Sequence, residues 1–355
     1  MHEHGTAHDA TRASFVADLH PAYFAMVMAT GIVSIASLLV GFRTIGVALL
    51  PANVVFALVL AALTVVRVVR FPRRVAADLT DHRRAVGFFT LVAATAVLGS
   101  QVLLITGVRS VAAILWIVAI VLWAALTYGI FTALTVTRVK PTLAEGINGG
   151  WLVAVVAPQS IVVLGAQLAS AGGEYAQGVL LFCLTMWLGA GMLYIWIISL
   201  IFYRYTFFLL EPSDLAPPYW INMGAVAIST LAGSLLVLGA PRSPLLLQLL
   251  PFLKGLTLLF WATATWWIPM LVILGVWRHG VERFPLRYDP LYWGAVFPLG
   301  MYTACTWRLS QAIDVPSLAA IPRVFIFIAL FAWTLTFAGL AASLAGGLRR
   351  SAPDG

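Results

Sequence analysis

The chain has 355 residues, of which 62% are hydrophobic and only 10% are charged, and its formal net charge is +8. Soluble domains carry about 25% charged residues, so this chain has too little polar surface to cover a water-soluble globule. The basic residues are distributed among separate loops rather than pooled in one patch, which argues against nucleic acid as a partner.

Apolar runs of about 20 residues, the length that a helix needs to cross a bilayer, recur from end to end. They predict an all-α integral membrane protein with ten transmembrane helices in one domain, residues 20–346. Polar tails are predicted at residues 1–19, which we expect to be disordered, and at 347–355. The spans are predicted near residues 20–41, 46–66, 86–106, 111–134, 150–170, 177–201, 219–239, 250–276, 290–309 and 323–345.

The distribution of basic residues predicts the orientation of these spans. One set of loops and tails holds Arg12, Arg67, Arg70, Arg73, Arg74, Arg83, Arg84, Arg138, Lys140, Arg204, Arg278, Arg283, Arg287, Arg349 and Arg350. The opposite side holds only Arg43, Arg109, Arg242, Lys254, Arg308 and Arg323. Because basic loops stay in the cytoplasm, both termini are predicted to be cytoplasmic, as an even number of spans requires.

A sequence repeat marks the odd-numbered spans. Three of them open on the pattern P-x-Y-[FW], at Pro21, Pro217 and Pro290, and the other two open near Gly87 and Gly150. Proline suits the first turn of a helix, and the aromatics suit a membrane interface. The recurrence predicts five helical hairpins in one orientation, related by an axis along the membrane normal, with one helix of each pair facing that axis.

Glycine and proline cluster in the middle of the odd spans. They are open to two interpretations: a broken backbone beside a cavity, or close packing of helices through small residues. Hydroxyl and amide side chains share these spans and offer the weak contacts that conduction needs. The predicted lining of a pore comprises Met28, Thr30, Gly31, Ser34, Thr95, Gly99, Pro158, Gln159, Gly224, Ser229, Pro298, Gly300 and Thr303.

Acidic residues are missing from the centres of the spans. Proton-coupled transporters usually carry acidic or histidine relays there, so the pattern favours passive conduction or weak coupling. Arg308 and Arg323 flank the outer ends of the last two spans, either as basic groups that attract anions to an outer mouth or as ordinary interfacial anchors. The histidines of the N-terminal tail, His2, His4 and His8, are expected to bind no metal, and no cofactor or catalytic group is predicted.

Three segments carry a family resemblance: HPAYFAMVMATGIVSIAS (20–37), NGGWLVAVVAPQ (148–159) and YWGAVFPLGMYTACTWRLS (292–310). They resemble the first, fifth and ninth spans of the tellurite-resistance/dicarboxylate transporter family. That family, part of the voltage-dependent anion channel superfamily, includes bacterial tellurite-resistance proteins, the yeast malate permease and sulfite pump, and plant slow anion channels. The resemblance implies five hairpins around a quasi-fivefold central pore, a homotrimer, and Phe297 as the gate that plugs the pore.

The expected function is therefore transport of a small anion across the inner (plasma) membrane, with the anion and the lipid bilayer as partners. C4-dicarboxylate, sulfite, tellurite and inorganic anions all remain open as substrates. A proton-coupled carrier for malate-like dicarboxylates or sulfite is the first alternative. An intramembrane enzyme or a signalling protein is the second, and it would need clustered polar catalytic groups that the sequence does not provide.

Overall fold

A computed structural model describes residues 16–170 and 172–351, and the regular secondary structure in these ranges is helical throughout. In chain order the helices are α1 (Ala25–Leu39), α2 (Arg43–Arg70), α3 (Pro72–Thr80), α4 (Phe89–Thr106), α5 (Arg109–Val136), α6 (Leu143–Gly146), α7 (Val153–Ala169), α8 (Ala176–Phe207), α9 (Ile221–Gly239), α10 (Pro244–Gln248), α11 (Leu250–Val276), α12 (Trp293–Ala312) and α13 (Ala320–Ser351). A π-helix, Trp277–Val281, continues α11.

Nine helical stretches in the described part of the chain are long and apolar enough to cross a membrane: Pro21–Leu39, Arg43–Arg70, Ala85–Thr106, Arg109–Val136, Gly149–Ala169, Ala176–Phe207, Pro217–Arg242, Leu250–Val281 and Pro316–Gly346. This agrees with an all-α integral membrane protein. The remaining predicted span corresponds to α12, whose 20 residues have the necessary length but are less apolar. A tenth membrane span therefore stays a prediction.

Five helices, α1, α4, α7, α9 and α12, form a closed cycle in which each packs against the next and α12 returns to α1. We call them the inner helices. Each also packs against a partner that follows it in the chain, namely α2, α5, α8, α11 or α13. The partners leave large apolar side chains exposed, among them Leu58, Ile114 and Phe331. Such an exterior is stable in lipid and unfavourable in water.

Each inner helix begins with a short 3-10 turn: Pro21–Phe24, Ala85–Phe88, Gly149–Leu152, Pro217–Trp220 and Pro290–Tyr292. Side chains cap three of these turns. His20 Nδ1 accepts from the N–H of Ala22, Asn148 Oδ1 from Gly150, and Asp289 Oδ1 from Leu291. The repeated P-x-Y-[FW] pattern thus marks a helix start in which proline gives up no helical hydrogen bond.

The mid-span glycines and prolines do not break the inner helices, because α1, α7 and α12 run without interruption through Gly31, Pro158 and Pro298. The structure therefore favours the second interpretation, in which small residues allow close packing of the helices. A Cβ on Gly31 would lie 2.6 Å from Val97 Cγ1, and one on Gly99 would lie 2.5 Å from Leu164 Cδ2. These glycines let neighbouring inner helices approach closely.

Among these glycines, Gly149 lies closest to the backbone of a neighbouring segment, the 3-10 turn Pro217–Trp220. A Cβ there would lie 2.5 Å from the Pro218 carbonyl oxygen and 2.6 Å from Tyr219 Cα. Since backbone atoms cannot rotate aside, we expect Gly149→Ala to lower the free energy of unfolding by about 1–3 kcal/mol through overpacking. Thermal unfolding of the purified protein measures the effect. Gly129→Ala is the control, because nothing lies within 4 Å of its Cβ position; equal melting temperatures for the two variants would contradict the expectation.

A buried ion cluster fastens α3 to the segment that precedes α1. Asp78 Oδ2 accepts from Arg67 Nη2 at 2.6 Å, and Asp78 Oδ1 accepts from Arg84 Nε at 2.6 Å. Arg67 Nε also donates to the carbonyl of Ala17 at 3.1 Å, and both Ala17 and Leu19 are buried. The packed region therefore begins before residue 20, which is the boundary that the sequence predicted for the membrane domain.

The N-terminal tail was predicted to be disordered over residues 1–19; residues 16–19 are ordered and partly buried, whereas residues 1–15, with His2, His4 and His8, lie outside the described residues. Residues 352–355 of the predicted C-terminal tail also lie outside them.

Candidate functional site

Two cavities lie along the axis enclosed by the inner helices. The N-terminal cavity, of about 290 Å³, lies where these helices begin; Ala25, Thr90, Val153, Ile221 and Gly294 line it, one from each helix. The C-terminal cavity is a void of about 10 Å³, hardly enough for one water molecule. Every inner helix contributes two or three residues to its lining, and the first from each helix are Ile32, Val97, Ser160, Ile228 and Met301. The axis is thus open at one end and nearly filled at the other.

The lining residues occupy the same register in all five helices: in each, the first residue that lines the C-terminal cavity lies seven positions after the one that lines the N-terminal cavity. At 3.6 residues per turn, positions three, four and seven residues further along a helix lie within about 60° of the first. The residues three and four positions along therefore flank the line between the two cavities on either side. The four-residue position holds alanine in four helices and proline in α12, whereas the larger side chains stand at the three-residue position. We call the residues at the three-residue position the constriction ring: Met28, Ala93, Val156, Gly224 and Phe297.

The constriction ring is apolar and buried. Phe297 is 1% exposed and Met28 is 2% exposed. Gly224 packs so closely on α12 that a Cβ there would lie 2.7 Å from Pro298 Cγ, which puts α9 and α12 in contact at this depth. Phe297 is the one aromatic residue in the ring. Apolar constrictions of this kind block ions by excluding water.

The wall of the N-terminal cavity is mainly apolar but includes charged side chains. Its lining includes Arg83, Arg204, Glu145 and Asp214. Arg83 Nε donates to the carbonyl of Glu145 at 2.5 Å, and Arg204 Nη2 pairs with Asp214 Oδ2 at 3.0 Å. The formal charges of these two positive and two negative side chains sum to zero. The starts of five inner helices, however, meet around this cavity, and a helix N-terminus carries about half a positive charge. The cavity therefore favours anions.

His20 also lines the N-terminal cavity. Burial, helped by the nearby positive charge of Arg84, lowers the pKa of His20 to about 4. The imidazole is consequently neutral at physiological pH, and its Nδ1 remains free of a proton to cap the first turn of its helix. His20 contributes shape and a hydrogen-bond acceptor here, and no charge.

The hydroxyl and amide groups predicted to line a pore lie between helices, away from both cavity linings. Thr30 Oγ1 accepts from Trp333 Nε1 of α13 at 3.0 Å. Ser34 Oγ donates to the carbonyl of Gly46 in α2 at 2.6 Å, and Gln159 Nε2 donates to the carbonyl of Trp187 in α8 at 3.2 Å. These groups join inner helices to outer helices: Ser34 and Gln159 to the partner of their own helix, and Thr30 to the partner of α12.

Three further predicted hydroxyls satisfy the backbone of their own helices. Thr95, Ser229 and Thr303 each donate to the carbonyl four residues earlier, at 2.8, 2.7 and 3.1 Å. Gly31, Gly99 and Gly300 face neighbouring helices, and Pro158 and Pro298 are buried within α7 and α12. Of the thirteen residues in the predicted lining, Met28 and Gly224 lie in the constriction ring beside the predicted gate Phe297.

The two predicted outer-mouth arginines are placed differently. Arg308 is half-buried, lines the C-terminal cavity and donates from Nη1 to Gln311 Oε1 at 3.0 Å. Arg323 is exposed near the start of α13. Only Arg308 stands where it would meet an ion that leaves the axis at this end.

Sequence reasoning missed most of the residues that line the cavities, although the signal was present. The helix starts at Pro21, Pro217 and Pro290 are equivalent, and the position four residues on lines the N-terminal cavity in each case. The position seven residues on belongs to the constriction ring. Arg204 and Asp214 were missed as a pair, because they come from the end of α8 and the loop after it.

The closed cycle of helices and the apolar exterior define the class: a helical integral membrane protein. The family model described as voltage-dependent anion channel (SLAC1) matches residues 18–341. The chain belongs to this family. Membership supports anion transport as its general role, and points to a transporter or channel rather than an enzyme.

The chain is also similar to relatives from two organisms, two of them over more than 90% of its length. It is 24% identical to an uncharacterized transporter of Methanocaldococcus jannaschii, MJ0762, over 91% of this chain and 94% of that one. A second transporter of that organism, MJ0576, is 23% identical over 92% and 93% of the two chains. An uncharacterized membrane protein of Mycobacterium tuberculosis H37Rv, Rv1735c, is 40% identical over 45% of this chain and 80% of its own.

Proposed function

We propose that the protein transports small anions across a bilayer along the axis of the five inner helices. The observation that carries the proposal is the convergence of five helix N-termini on one cavity. Together these termini favour negative charge without a fixed, exposed cation at the constriction. A lining of that kind attracts anions and still releases them, as rapid transport requires.

The proposal includes ten transmembrane helices arranged as five hairpins around a quasi-fivefold pore, with residues 20–346 as the transport domain. The charge of the loops supports cytoplasmic termini. The N-terminal cavity then opens toward the cytoplasm of a cell whose inner (plasma) membrane holds the protein. A homotrimer with one pore in each protomer follows from the family resemblance.

We propose Phe297 as the gate of this pore. The other four members of the constriction ring are small or flexible: Met28, Ala93, Val156 and Gly224. An aromatic ring is rigid and large, so it controls the width of the passage more than any of these side chains. Displacement of this one ring would connect the two cavities. Arg308 lies beyond it, where a positive charge assists the exit or entry of an anion.

A proton-coupled carrier for C4-dicarboxylates or sulfite is the alternative. The feature in its favour is the presence of carboxylates, Glu145 and Asp214, at the wall of the N-terminal cavity. These groups lie at the mouth and not in the constriction, so they favour coupling less than an intramembrane relay would.

Flux in proteoliposomes tests the function. Chloride, nitrate, sulfite, tellurite and malate are each loaded, with and without a pH gradient, and release is followed in vesicles with and without the protein. We expect flux that follows the anion gradient alone. Saturable uptake that collapses when a protonophore is added would favour the coupled carrier, and no protein-dependent flux of any anion would refute transport.

A further inference from the structure

A groove on the exterior of the protein lies between the end of α11 and the starts of α9 and α12. Its volume is about 690 Å³, within the roughly 300–1,000 Å³ that sites for small molecules occupy. We call it the lateral groove; its wall includes Trp220, Leu271, Val276, Arg278, Leu286 and Tyr292. Val276 and Leu286 are 61% and 75% exposed, so the groove opens on the apolar exterior that faces lipid.

Arg278, in the π-helix that continues α11, carries a buried charge without a partner. It is 9% exposed, and among the described residues only Arg67 and Arg204 are other arginines buried to this degree. Each of those two pairs with an aspartate, whereas no ion pair involves Arg278 in the described part of the chain. Its Nε is fully buried and has no hydrogen-bond partner there. Because burial of an unpaired charge is unfavourable, an anion that binds beside Arg278 would complete this site.

Burial also distinguishes Arg278 from an ordinary interfacial anchor. An anchoring arginine extends its charged end into water, and Arg283 and Arg287 of the following loop are exposed in that way. Asp289 lies nearby but forms no ion pair with Arg278; its Oδ1 accepts from the N–H of Leu291 at 2.7 Å instead. The charge of Arg278 is therefore left for a ligand.

The loop after α11 holds the guanidinium group of Arg278 in position. Its Cζ lies 4.3 Å from the centre of the Phe284 ring, which is a cation–π contact. The N–H of Phe284 donates to the carbonyl of Arg278 at 3.0 Å. His279 Nδ1 donates to the carbonyl of Phe284 at 2.8 Å, since a carbonyl only accepts. Stacking occupies a face of the guanidinium group and none of its N–H donors, and π-helical turns are frequent at functional sites.

An apolar groove with a buried arginine in its wall fits an amphiphile that carries a phosphate. Guanidinium groups bind phosphate through paired, charge-assisted hydrogen bonds, and apolar walls suit an acyl chain. Basic pockets between transmembrane helices on the cytoplasmic side bind anionic lipid head groups. The charge of the loops puts this end of α11 on the cytoplasmic side, where the leaflet contains anionic lipids.

We propose that the lateral groove binds an anionic phospholipid of the cytoplasmic leaflet. Its phosphate lies at Arg278, and an acyl chain lies along the apolar wall formed by Leu271, Val276 and Leu286. The site lies outside the axial path, and the proposal does not depend on anion transport.

Lipid binding to the full chain tests this proposal. The protein is purified in a detergent that removes bound lipid and is titrated with phosphatidylglycerol or phosphatidylcholine. Native mass spectrometry counts the bound lipids, and the rise in melting temperature measures their affinity. We expect phosphatidylglycerol to bind about tenfold more tightly than phosphatidylcholine, whose choline group neutralises the phosphate, a difference of about 1.4 kcal/mol. Added inorganic phosphate should not displace the lipid, because it makes no apolar contacts with the groove.

Arg278→Gln should weaken the binding of phosphatidylglycerol about tenfold, or by about 1.4 kcal/mol, because the phosphate loses its charge-assisted hydrogen bonds. Arg287→Gln is the matched control. It removes the same charge from the loop that follows, but Arg287 is exposed and lies outside the groove wall, so lipid binding should stay as in the wild type.

A second pair of variants covers the case in which Arg278→Gln fails to fold. Gly275 lines the groove, and nothing lies within 4 Å of a Cβ placed there. The same holds at Gly255, near the other end of α11. Gly275→Leu should fill the groove and exclude the acyl chain, whereas Gly255→Leu should leave lipid binding unchanged.

Three results would overturn the proposal. The first is equal affinity for the two lipids or displacement of the lipid by inorganic phosphate. The second is unchanged lipid binding in folded Arg278→Gln or Gly275→Leu protein. The third is a change in oligomeric state of these variants without a change in bound lipid, which would assign the groove to a contact between copies of the chain.

Discussion

Phe297→Ala is expected to raise anion flux through proteoliposomes by about tenfold or more, since a barrier lowered by only about 1.4 kcal/mol gives a tenfold faster rate. Phe297 is the bulkiest rigid side chain of the constriction ring. Its removal leaves Met28, Ala93, Val156 and Gly224, which cannot fill the volume of a phenyl ring. The cavities on either side would then join, and water would enter the passage together with the ion.

Phe89→Ala is the matched control for this experiment. Phe89 is fully buried, like Phe297, but it packs against Phe131 of α5 with ring centroids 5.9 Å apart. Both substitutions remove a buried phenyl ring and cost stability, about 3–5 kcal/mol for a typical core. Only the one in the constriction ring should increase flux. Unchanged flux in a folded Phe297→Ala protein would rule out this residue as the gate.

Asp78→Asn should cause a large loss of stability. The Asp78 side chain is 11% exposed and joins Arg67, whose side chain is 5% exposed, to Arg84. Removing the carboxylate charge leaves buried Arg67 without its counter-ion, which typically costs about 3–5 kcal/mol. A lower midpoint of thermal or denaturant unfolding in detergent would measure this effect.

Asp18→Asn provides the comparison, because Asp18 pairs with Arg74 on the surface, with side chains 63% and 58% exposed. Exposed pairs contribute about 0–1 kcal/mol, so this variant should unfold almost as the wild type does. Similar losses in the two variants would show that burial does not set the contribution of the Asp78 cluster.

Stability should also depend on pH through Asp78. Burial by itself would raise the pKa of this carboxyl, but hydrogen bonds from Arg84 and Arg67 outweigh burial and hold the pKa below its usual range. A lowered folded pKa means that the stabilisation is complete above the unfolded pKa, about 3.9. It is lost as the pH falls through the folded value. The difference between the wild type and Asp78→Asn should therefore shrink below about pH 4.

Much of the architecture followed from local features of the sequence. The apolar runs predicted the long helices, because a run of about 20 apolar residues has the length and composition of a membrane-spanning helix. The starts at Pro21, Pro217 and Pro290 predicted equivalent inner helices, because proline and interfacial aromatics act within a single turn. Met28 and Phe297 each follow such a start by seven residues.

The polar residues of the inner helices were harder to assign. Thr30, Ser34 and Gln159 were expected to face a pore, yet each bonds to an outer partner helix. In an apolar environment a hydroxyl or amide group is costly unless it is paired. The nearest carbonyl or donor of a packed neighbour satisfies it as well as a passing ion would. A polar residue in a span therefore does not by itself indicate a pore.

The sequence by itself determined the class of protein, the positions of the long helices and the equivalence of their starts, because composition, apolar length and turn residues act locally. Only the tertiary structure decided which face of each inner helix meets the axis. In Gly149–Ala169 and Pro217–Arg242, 89% of the most apolar stretch is buried, so these helices are covered on nearly every side and no single apolar stripe identifies the face that meets the axis. Contacts with helices distant in the chain set the rotation of each inner helix about its own axis. The same contacts bring Arg204, Asp214 and five helix N-termini together around one cavity.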